Sequence, residues 1–383
     1  MSNKLLLVGL GQSFSGIVYY LDLLGIESLT ISDIDKKKEQ ATLKYVNKKY
    51  PNIKVDNNIR PYSYSLVLLA IDGKSTQAFL YNNDNFSLFR RKRIFVSLGR
   101  PNYDSEEDFN KLNIYVKLHS AVLFFGFGLE PGITETMIYN EMNNNINSSK
   151  IECFCGCIPK KPTPPLNYNI LFGDKLPYHD RPAIFKKNGQ VLSTTRYASK
   201  ENIYVESIGI LESFHDGLSP YMLKSNLAVR FLDIKQKTVR YPGFYDNIKP
   251  LLDMGMFSDT KIDEIDLSCN DLLHKILFKN KVLSKDPDDI SFIFLVSGRE
   301  NNKKYTLLKS EYDNASKISG AMKLTTFFFI YTTYLLLNGI LNEDYSGVVL
   351  SFEVYKSQKI YDFFISELTN LNVGSYYKGD IVE

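Results

Sequence analysis

At 383 residues and 44.0 kDa, the chain is long enough for two or three domains. Lys plus Arg total 46 against 43 for Asp plus Glu, and a net charge of +3 argues against a nucleic acid held by bulk electrostatics. Hydrophobic residues at 44% and charged residues at 23% exclude a disordered chain, and four Cys are too few for a disulfide framework and fit a reducing compartment.

The first 125 residues alternate between strand and helix patterns. Leu5 to Gly9 is a continuous apolar run, as in a strand buried on both faces. No small-x-small cleavage site follows it, so it reads as a first strand rather than a leader. Ile17, Tyr20, Leu21 and Leu24 then recur at helical spacing, and Gly25 can end that helix. Ser28–Ser32 reads as a second strand, 36–49 as a charged surface helix, and 65–71 and 94–98 as further buried strands. This order predicts a parallel α/β sheet with right-handed crossovers.

From Ile151 the texture changes. Pro159, Pro162, Pro164 and Pro165 crowd one loop, and β-like runs recur at 152–157, 183–185, 202–210, 227–233 and 290–297. These predict a second domain on a mixed or antiparallel sheet. Residues 319–339 read as helix. Within the apolar stretch 324–341, Thr325, Thr326, Thr332 and Thr333 recur seven apart and make one helical stripe. That stripe fits a helix buried in protein better than a lipid span, which needs about 20 apolar residues. The expected setting is cytoplasmic, with no membrane and no nucleic-acid partner. The basic run Arg90-Arg91-Lys92-Arg93 reads as a solvated loop.

The chemistry is clearest at Gly9-Leu10-Gly11-Gln12-Ser13-Phe14-Ser15-Gly16, between the first strand and the first helix. A dinucleotide fingerprint needs this context. Gly9 allows the tight turn, and Gly11, Gln12 and Ser13 bring backbone close to a pyrophosphate at the helix N-terminus. Ala70 and Ile71, at the end of a later strand, join the cofactor-binding set. Asp33 ends the second strand 22 residues after Gly11, where a carboxylate accepts bonds from ribose hydroxyls. Asp33 favours NAD. Lys36, Lys37 and Lys38 beyond it offset repulsion of a 2′-phosphate, so NAD and NADP both stay open. Phe14 stands where the third glycine is usual, and Gly16 can take over its role. A methyltransferase-type fold also uses such a turn and acid.

Further motifs carry a resemblance. Gly128-Leu129-Glu130-Pro131-Gly132, Cys155-Gly156-Cys157-Ile158-Pro159, Pro165-Leu166-Asn167-Tyr168, Arg240-Tyr241-Pro242-Gly243 and Ser319-Gly320-Ala321-Met322 occur in the order found in the saccharopine dehydrogenase (saccharopine reductase) family. The chain resembles that family, which includes lysine 6-dehydrogenase and carboxynorspermidine dehydrogenase. The resemblance implies an α/β fold: a Rossmann doubly wound parallel sheet over 1–125, an α+β substrate and dimerisation domain with a mixed sheet over 126–318, and C-terminal helices over 319–383 returning to the Rossmann domain. It implies NAD(P)-linked formation or cleavage of an amino-acid C–N bond through an imine, a small amino-acid or polyamine-type substrate, and a homodimer. The implied catalytic residues are Tyr103, Glu130 and Cys155, with Tyr168 and Arg240 binding substrate.

Each has a blander reading. Tyr103 can be core packing, Glu130 a helix cap, and Cys153, Cys155 and Cys157 a buried row on one strand face without zinc spacing. Arg240 can sit in an internal salt bridge, with Asp246 as its partner. His119, His179, His215 and His274 read as surface or structural. Phe14, Glu130, Phe244 and Arg100-Pro101-Asn102-Tyr103 depart from the family pattern, which points to a substrate other than saccharopine. Alternatives of a different kind are a non-redox Rossmann enzyme such as a methyltransferase and a nucleotide-binding member without catalysis.

Overall fold

The computed structural model describes residues 5–57, 64, 66–82, 92–103, 105–145, 148–171, 173, 175–176, 178, 181–263, 265–299, 302–341 and 344–381. Met1–Lys4, Ser65, Arg90, Arg91 and His179 lie outside them. The chain divides into two compact units, one of residues 1–140 and 322–371, the other of 141–321 and 372–383.

The first unit opens with β1 (Leu5–Val8), α1 (Phe14–Leu23), β2 (Ser28–Ser32), α2 (Lys36–Lys49), β3 (Lys54–Asp56), β4 (Leu66–Leu69), α3 (Gly73–Tyr81), β5 (Arg93–Ser97), α4 (Glu106–Leu118), β6 (Ala121–Phe125) and α5 (Ile133–Asn144), whose residues from Glu141 onward belong to the second unit. The second carries β7 (Lys150–Pro159), β8 (Pro182–Lys187), β9 (Gln190–Thr195), β10 (Glu201–Val205), β11 (Gly209–His215), α6 (Pro220–Leu223), β12 (Asp233–Arg240), α7 (Phe244–Asp253), β13 (Lys261–Ile262), β14 (Ile265–Ser268), α8 (Cys269–Lys279), β15 (Asp289–Arg299) and β16 (Asn302–Glu311). After α9 (Gly320–Leu337) come β17 (Gly347–Val349), α10 (Ser351–Val354), α11 (Gln358–Asn370) and β18 (Ser375–Ile381).

Among the described residues the first unit holds a seven-stranded sheet in the order β17-β6-β5-β4-β1-β2-β3, every pair parallel. Strands 3-2-1-4-5-6 in this order make a Rossmann sheet, extended by β17. Leu6, Val67, Leu69, Phe95, Leu123 and Phe125 alternate onto one face and pack under Leu112 and Val116 of α4. Aromatic rings of α9 join the same unit: Phe327 meets Tyr20 of α1 and Phe364 of α11, and Phe328 stacks on Phe127. Three threonines of the stripe are buried there, and Thr325 is half-buried. Thr326, Thr332 and Thr333 turn their hydroxyls back to the carbonyls four residues earlier, which satisfies them without water. The helix is long and apolar enough to cross a membrane, and 72% of it is buried inside the protein.

The second sheet runs β10-β11-β12-β7-β15-β16-β18, with β8 beside β12 and β9 beside β8. It is mixed, because β12 is parallel to β7 while β15 is antiparallel to it. The architecture is therefore a doubly wound parallel sheet plus an α+β unit with a mixed sheet.

Three local expectations are corrected. Residues 202–210 do not form one strand. Ser207 and Gly209 have positive φ, and they fold the run into the β10–β11 hairpin. Residues 227–233 do not form a strand. Ala228–Arg230 is a short 3-10 helix whose Ala228 carbonyl accepts from Lys186, and strand begins only at Asp233. The tail after 371 is not helix returning to the first unit, because β18 pairs along β16 in the second sheet. The first unit also reaches to Asn140, beyond the expected boundary at 125. Ser351 donates to the Gly132 carbonyl and Asn140 bonds Gln358, which ties α5 to the helices after β17.

Candidate active site

In the first unit the candidate residues collect at the C-terminal ends of the parallel strands, and β1 and β4 flank the point where strand order reverses. Gly9 has φ +93°, and a Cβ there would lie 2.6 Å from the Ala70 carbonyl and 2.7 Å from Ile71. Only glycine fits against the end of β4. Gly11 has nothing within 4 Å of its Cβ position, so open space adjoins that backbone. The turn is braced by Asp33, whose Oδ2 accepts the Leu10 N–H at 2.8 Å and whose Oδ1 accepts Asp35 N–H at 3.0 Å. Lys38 lies 3.5 Å from the same carboxylate. Burial pushes the Asp33 carboxyl up, but the backbone donors and Lys38 outweigh it and hold it below the usual range. Ser13 precedes α1 without a side-chain cap bond.

Tyr103 and Glu130 follow β5 and β6, and their loops meet across Gly126. A Cβ on Gly126 would touch Pro131 at 3.0 Å and Pro101 at 3.1 Å. Tyr103 is buried, with the Arg100 guanidinium 5.2 Å from its ring centre and Phe109 beside it. Glu130 lies in the turn before α5. The first N–H groups of that helix, on Ile133 and Thr134, donate to the Gly128 and Leu129 carbonyls, so the backbone supplies that cap.

In the second unit Cys155, Tyr168 and Arg240 share one region. Opposite residues in a ladder share a face. Cys153 pairs with Gln236, Cys155 with Thr238, Phe214 with Thr238, and Glu212 with Arg240. One face of β12 thus presents Gln236, Thr238 and Arg240 beside the cysteine row. At the Arg240 end this face is covered by a cluster that includes Leu166, Tyr168, Tyr197, Phe214, Phe244 and Ile248. The guanidinium lies 4.8 Å from the Tyr168 ring centre and 5.6 Å from that of Phe244. Burial pushes the Tyr168 phenol up to about 12, so it stays neutral beside that cation.

Arg240 is 5% exposed and pairs with no carboxylate among the described residues. Its Nη1 donates to the Val239 carbonyl at 2.7 Å, and its Nε has no partner. The expected salt bridge to Asp246 is corrected: Asp246 holds Lys200 at 2.8 Å. Glu212, opposite Arg240 in register, instead accepts the N–H groups of Gly243 and Tyr245 at the start of α7. A buried cation without an anion costs several kcal/mol, on the order of the penalty for one desolvated ion. The thiol with an electrostatic effect on Arg240 and Tyr168 is that of Cys157.

Sequence reasoning missed the ion-pair cluster next to this region. Asp216 receives Arg196 through Nε at 2.7 Å and Nη2 at 3.0 Å, and Arg181 bonds both its carboxylate and its carbonyl. The turn His215-Asp216-Gly217 was the available signal. His215 itself is buried and stacks on Phe185 at 4.5 Å, and its Nδ1 has no partner. His274 is structural: it accepts Leu176 N–H and bonds the Asn270 carbonyl.

Residues 128–372, most of the chain, match the family model for the saccharopine dehydrogenase C-terminal domain. The chain belongs to the saccharopine dehydrogenase family. The apo saccharopine dehydrogenase (L-Glu forming) of Saccharomyces cerevisiae superposes with a TM-score of 0.73 over 99% of this chain and 100% of that one, at 13% identity. An oxidoreductase from Agrobacterium radiobacter, solved with NAD+, L-tartaric acid and magnesium, aligns at 9% identity over 99% and 98% of the two chains with a TM-score of 0.44. A probable dehydrogenase from Thermotoga maritima aligns at 10% identity over 92% of each with a TM-score of 0.43. The protein has the saccharopine dehydrogenase-type oxidoreductase fold.

Two departures from the saccharopine dehydrogenase pattern have a packing role. Phe14 is buried in the core, and Gly16 supplies the missing close approach, since a Cβ there would lie 2.5 Å from Thr326 Oγ1 of α9. Phe244, the second such departure, covers the Arg240 guanidinium.

Proposed function

We propose that this protein is an NAD(P)-dependent oxidoreductase that forms or cleaves an amino-acid C–N bond through an imine. The observation that carries this reading is the glycine cradle at the Rossmann switch point, and the buried Arg240, which no carboxylate among the described residues neutralises, supports it.

The cradle fits a dinucleotide. Gly9 excludes any side chain against Ala70 and Ile71, and Gly11, Gln12 and Ser13 lead into the N-terminus of α1, which favours a pyrophosphate. Asp33 would take ribose hydroxyls, which favours NAD, while Lys38 beside it leaves room for NADP. Bound there, a nicotinamide supplies the hydride. Arg240 holds a substrate carboxylate, its fork backed by Tyr168 and Phe244, which exclude water and hold the guanidinium in place. Tyr103, Glu130 and Cys155 are the groups assigned to orient the amine and move its proton. The substrate is a small amino-acid or polyamine-type molecule, and the enzyme works as a cytoplasmic homodimer.

Fluorescence titration with NADH and NADPH tests the first half. Binding of at least one at micromolar concentration is expected, and binding of neither overturns the reading. A screen of lysine and diamines against semialdehydes and oxo acids, followed by cofactor oxidation, tests the second.

A further inference from the structure

Gln236 lies on β12 four residues before Arg240, on the same sheet face, and is 1% exposed. Neither its Oε1 nor its Nε2 has a hydrogen-bond partner. Among the described residues no other side chain is buried with both a donor and an acceptor atom unmatched. A buried donor and acceptor without partners forfeit the hydrogen bonds that water would give them, so the arrangement is poor as packing. Its neighbours on the face are Cys153, opposite it on β7, and Thr238, the next residue along the row, which faces Cys155. Beyond Cys153, Ser297 and Ile151 close that end of the face, where Glu141 of α5 bonds Ser297. Gln236 therefore sits between that closure and Arg240.

A strand advances about 3.3 Å per residue, so Gln236 and Arg240 are separated by roughly 13 Å along the row. One small carboxylate cannot serve both. The amide needs a partner that offers a donor and an acceptor together. An α-amino-acid zwitterion does: its ammonium donates and its carboxylate accepts.

We propose that Gln236 is a specificity-determining residue that binds the α-amino-acid end of the substrate, its Oε1 accepting from the ammonium and its Nε2 donating to the carboxylate, while Arg240 holds a separate carboxylate. This rests on the substrate assignment made above.

The test uses Gln236→Met, close in shape and apolar, and Gln236→Glu, which keeps the acceptor, removes the donor and opposes a carboxylate. Thermal stabilisation by L-lysine is compared with that by cadaverine, and by L-glutamate with that by 4-aminobutyrate, in full-length protein without nucleotide. Wild type is expected to prefer an amino acid over its decarboxylated partner, and both variants to lose that preference at least tenfold. The ligand-free melting temperature of Gln236→Met should stay level or rise, and NADH affinity should not change. A drop in ligand-free stability with the preference intact makes Gln236 a packing residue and overturns the proposal. So does a wild type that none of the amino acids stabilises. Loss of preference in the variants of a protein that oxidises no cofactor keeps this inference while removing the oxidoreductase reading.

Discussion

The two candidate regions are built in different ways. At the glycine turn the first unit offers backbone: Gly9 and Gly11 work by lacking side chains, and Asp33 braces the turn through two main-chain N–H groups. On the second sheet the site is made of side chains: Tyr168 meets Arg240, and Gln236 shares the Arg240 face of β12, because of strand register and burial. Gly9 tolerates no added atom, whereas a site of buried, unmatched polar side chains is held against stability and tolerates their loss until a ligand is needed. Substitutions should therefore separate the two.

The largest effect is expected at Gly9→Ala. Its positive φ and the 2.6 Å approach to Ala70 force the turn to move. Dinucleotide affinity should fall at least a hundredfold, and unfolding free energy by about 1–3 kcal/mol. Equilibrium titration and denaturant unfolding check both, and a variant that binds normally would refute the cradle.

His215 gives a pH dependence to the second unit. Burial, then Lys237 and Lys235, depress its pKa to about 4 from an ordinary 6.5. The unfolded chain takes up the proton first as pH falls. The contribution is thus whole above pH 6.5 and is lost on descent towards about 4. His215→Phe should flatten the stability curve in that window. An unchanged slope would assign the acid sensitivity elsewhere.

Arg240→Met should raise the KM of a carboxylate-bearing substrate ten- to a hundredfold, matching about 1.5–3 kcal/mol for a charged hydrogen bond. Stability of the ligand-free protein should not fall, because no anion is stranded. A large loss of stability with unchanged KM would place Arg240 in the fold alone.

The smallest effect expected is at Asp33→Ala, which should weaken NAD(H) about tenfold more than NADP(H). Removing the carboxylate takes away a ribose partner and a repulsion against 2′-phosphate together. Titrations giving equal losses for both cofactors would confine Asp33 to bracing Leu10.

The first region was legible in the sequence because its signals are local. Leu5 to Gly16 carries a buried strand, a turn and a helix start in a few residues, and Asp33 follows at the next strand end. The second region depends on pairing that no local pattern reveals. Glu212 is diverted to α7, and Asp246 to Lys200, only because of where β11 and α7 fall. Gln236 stands in a polar run, Lys235 to Thr238, that carries no strand alternation of its own. The 3-10 helix at Ala228–Arg230 was read as strand because Leu227, Val229 and Phe231 mimic alternation, while Lys186 and Met142 hold it in place from far along the chain. β18 was missed because a strand rich in Tyr, Lys and Asp finds its identity only against β16.

We propose that hydride from a nicotinamide cofactor reduces the C=N bond of an imine formed from an amino acid and a carbonyl compound. It is tested most directly by incubating the enzyme with NADH or NADPH deuterated on the transferred face of C4, together with lysine and an oxo acid or semialdehyde, and weighing the secondary amine formed. One deuterium is expected in the new C–H bond of that amine from at least one cofactor, with at least tenfold less labelled amine from the Arg240→Met variant at low substrate. Cofactor oxidation without a labelled amine, or an amine formed without label, would contradict it.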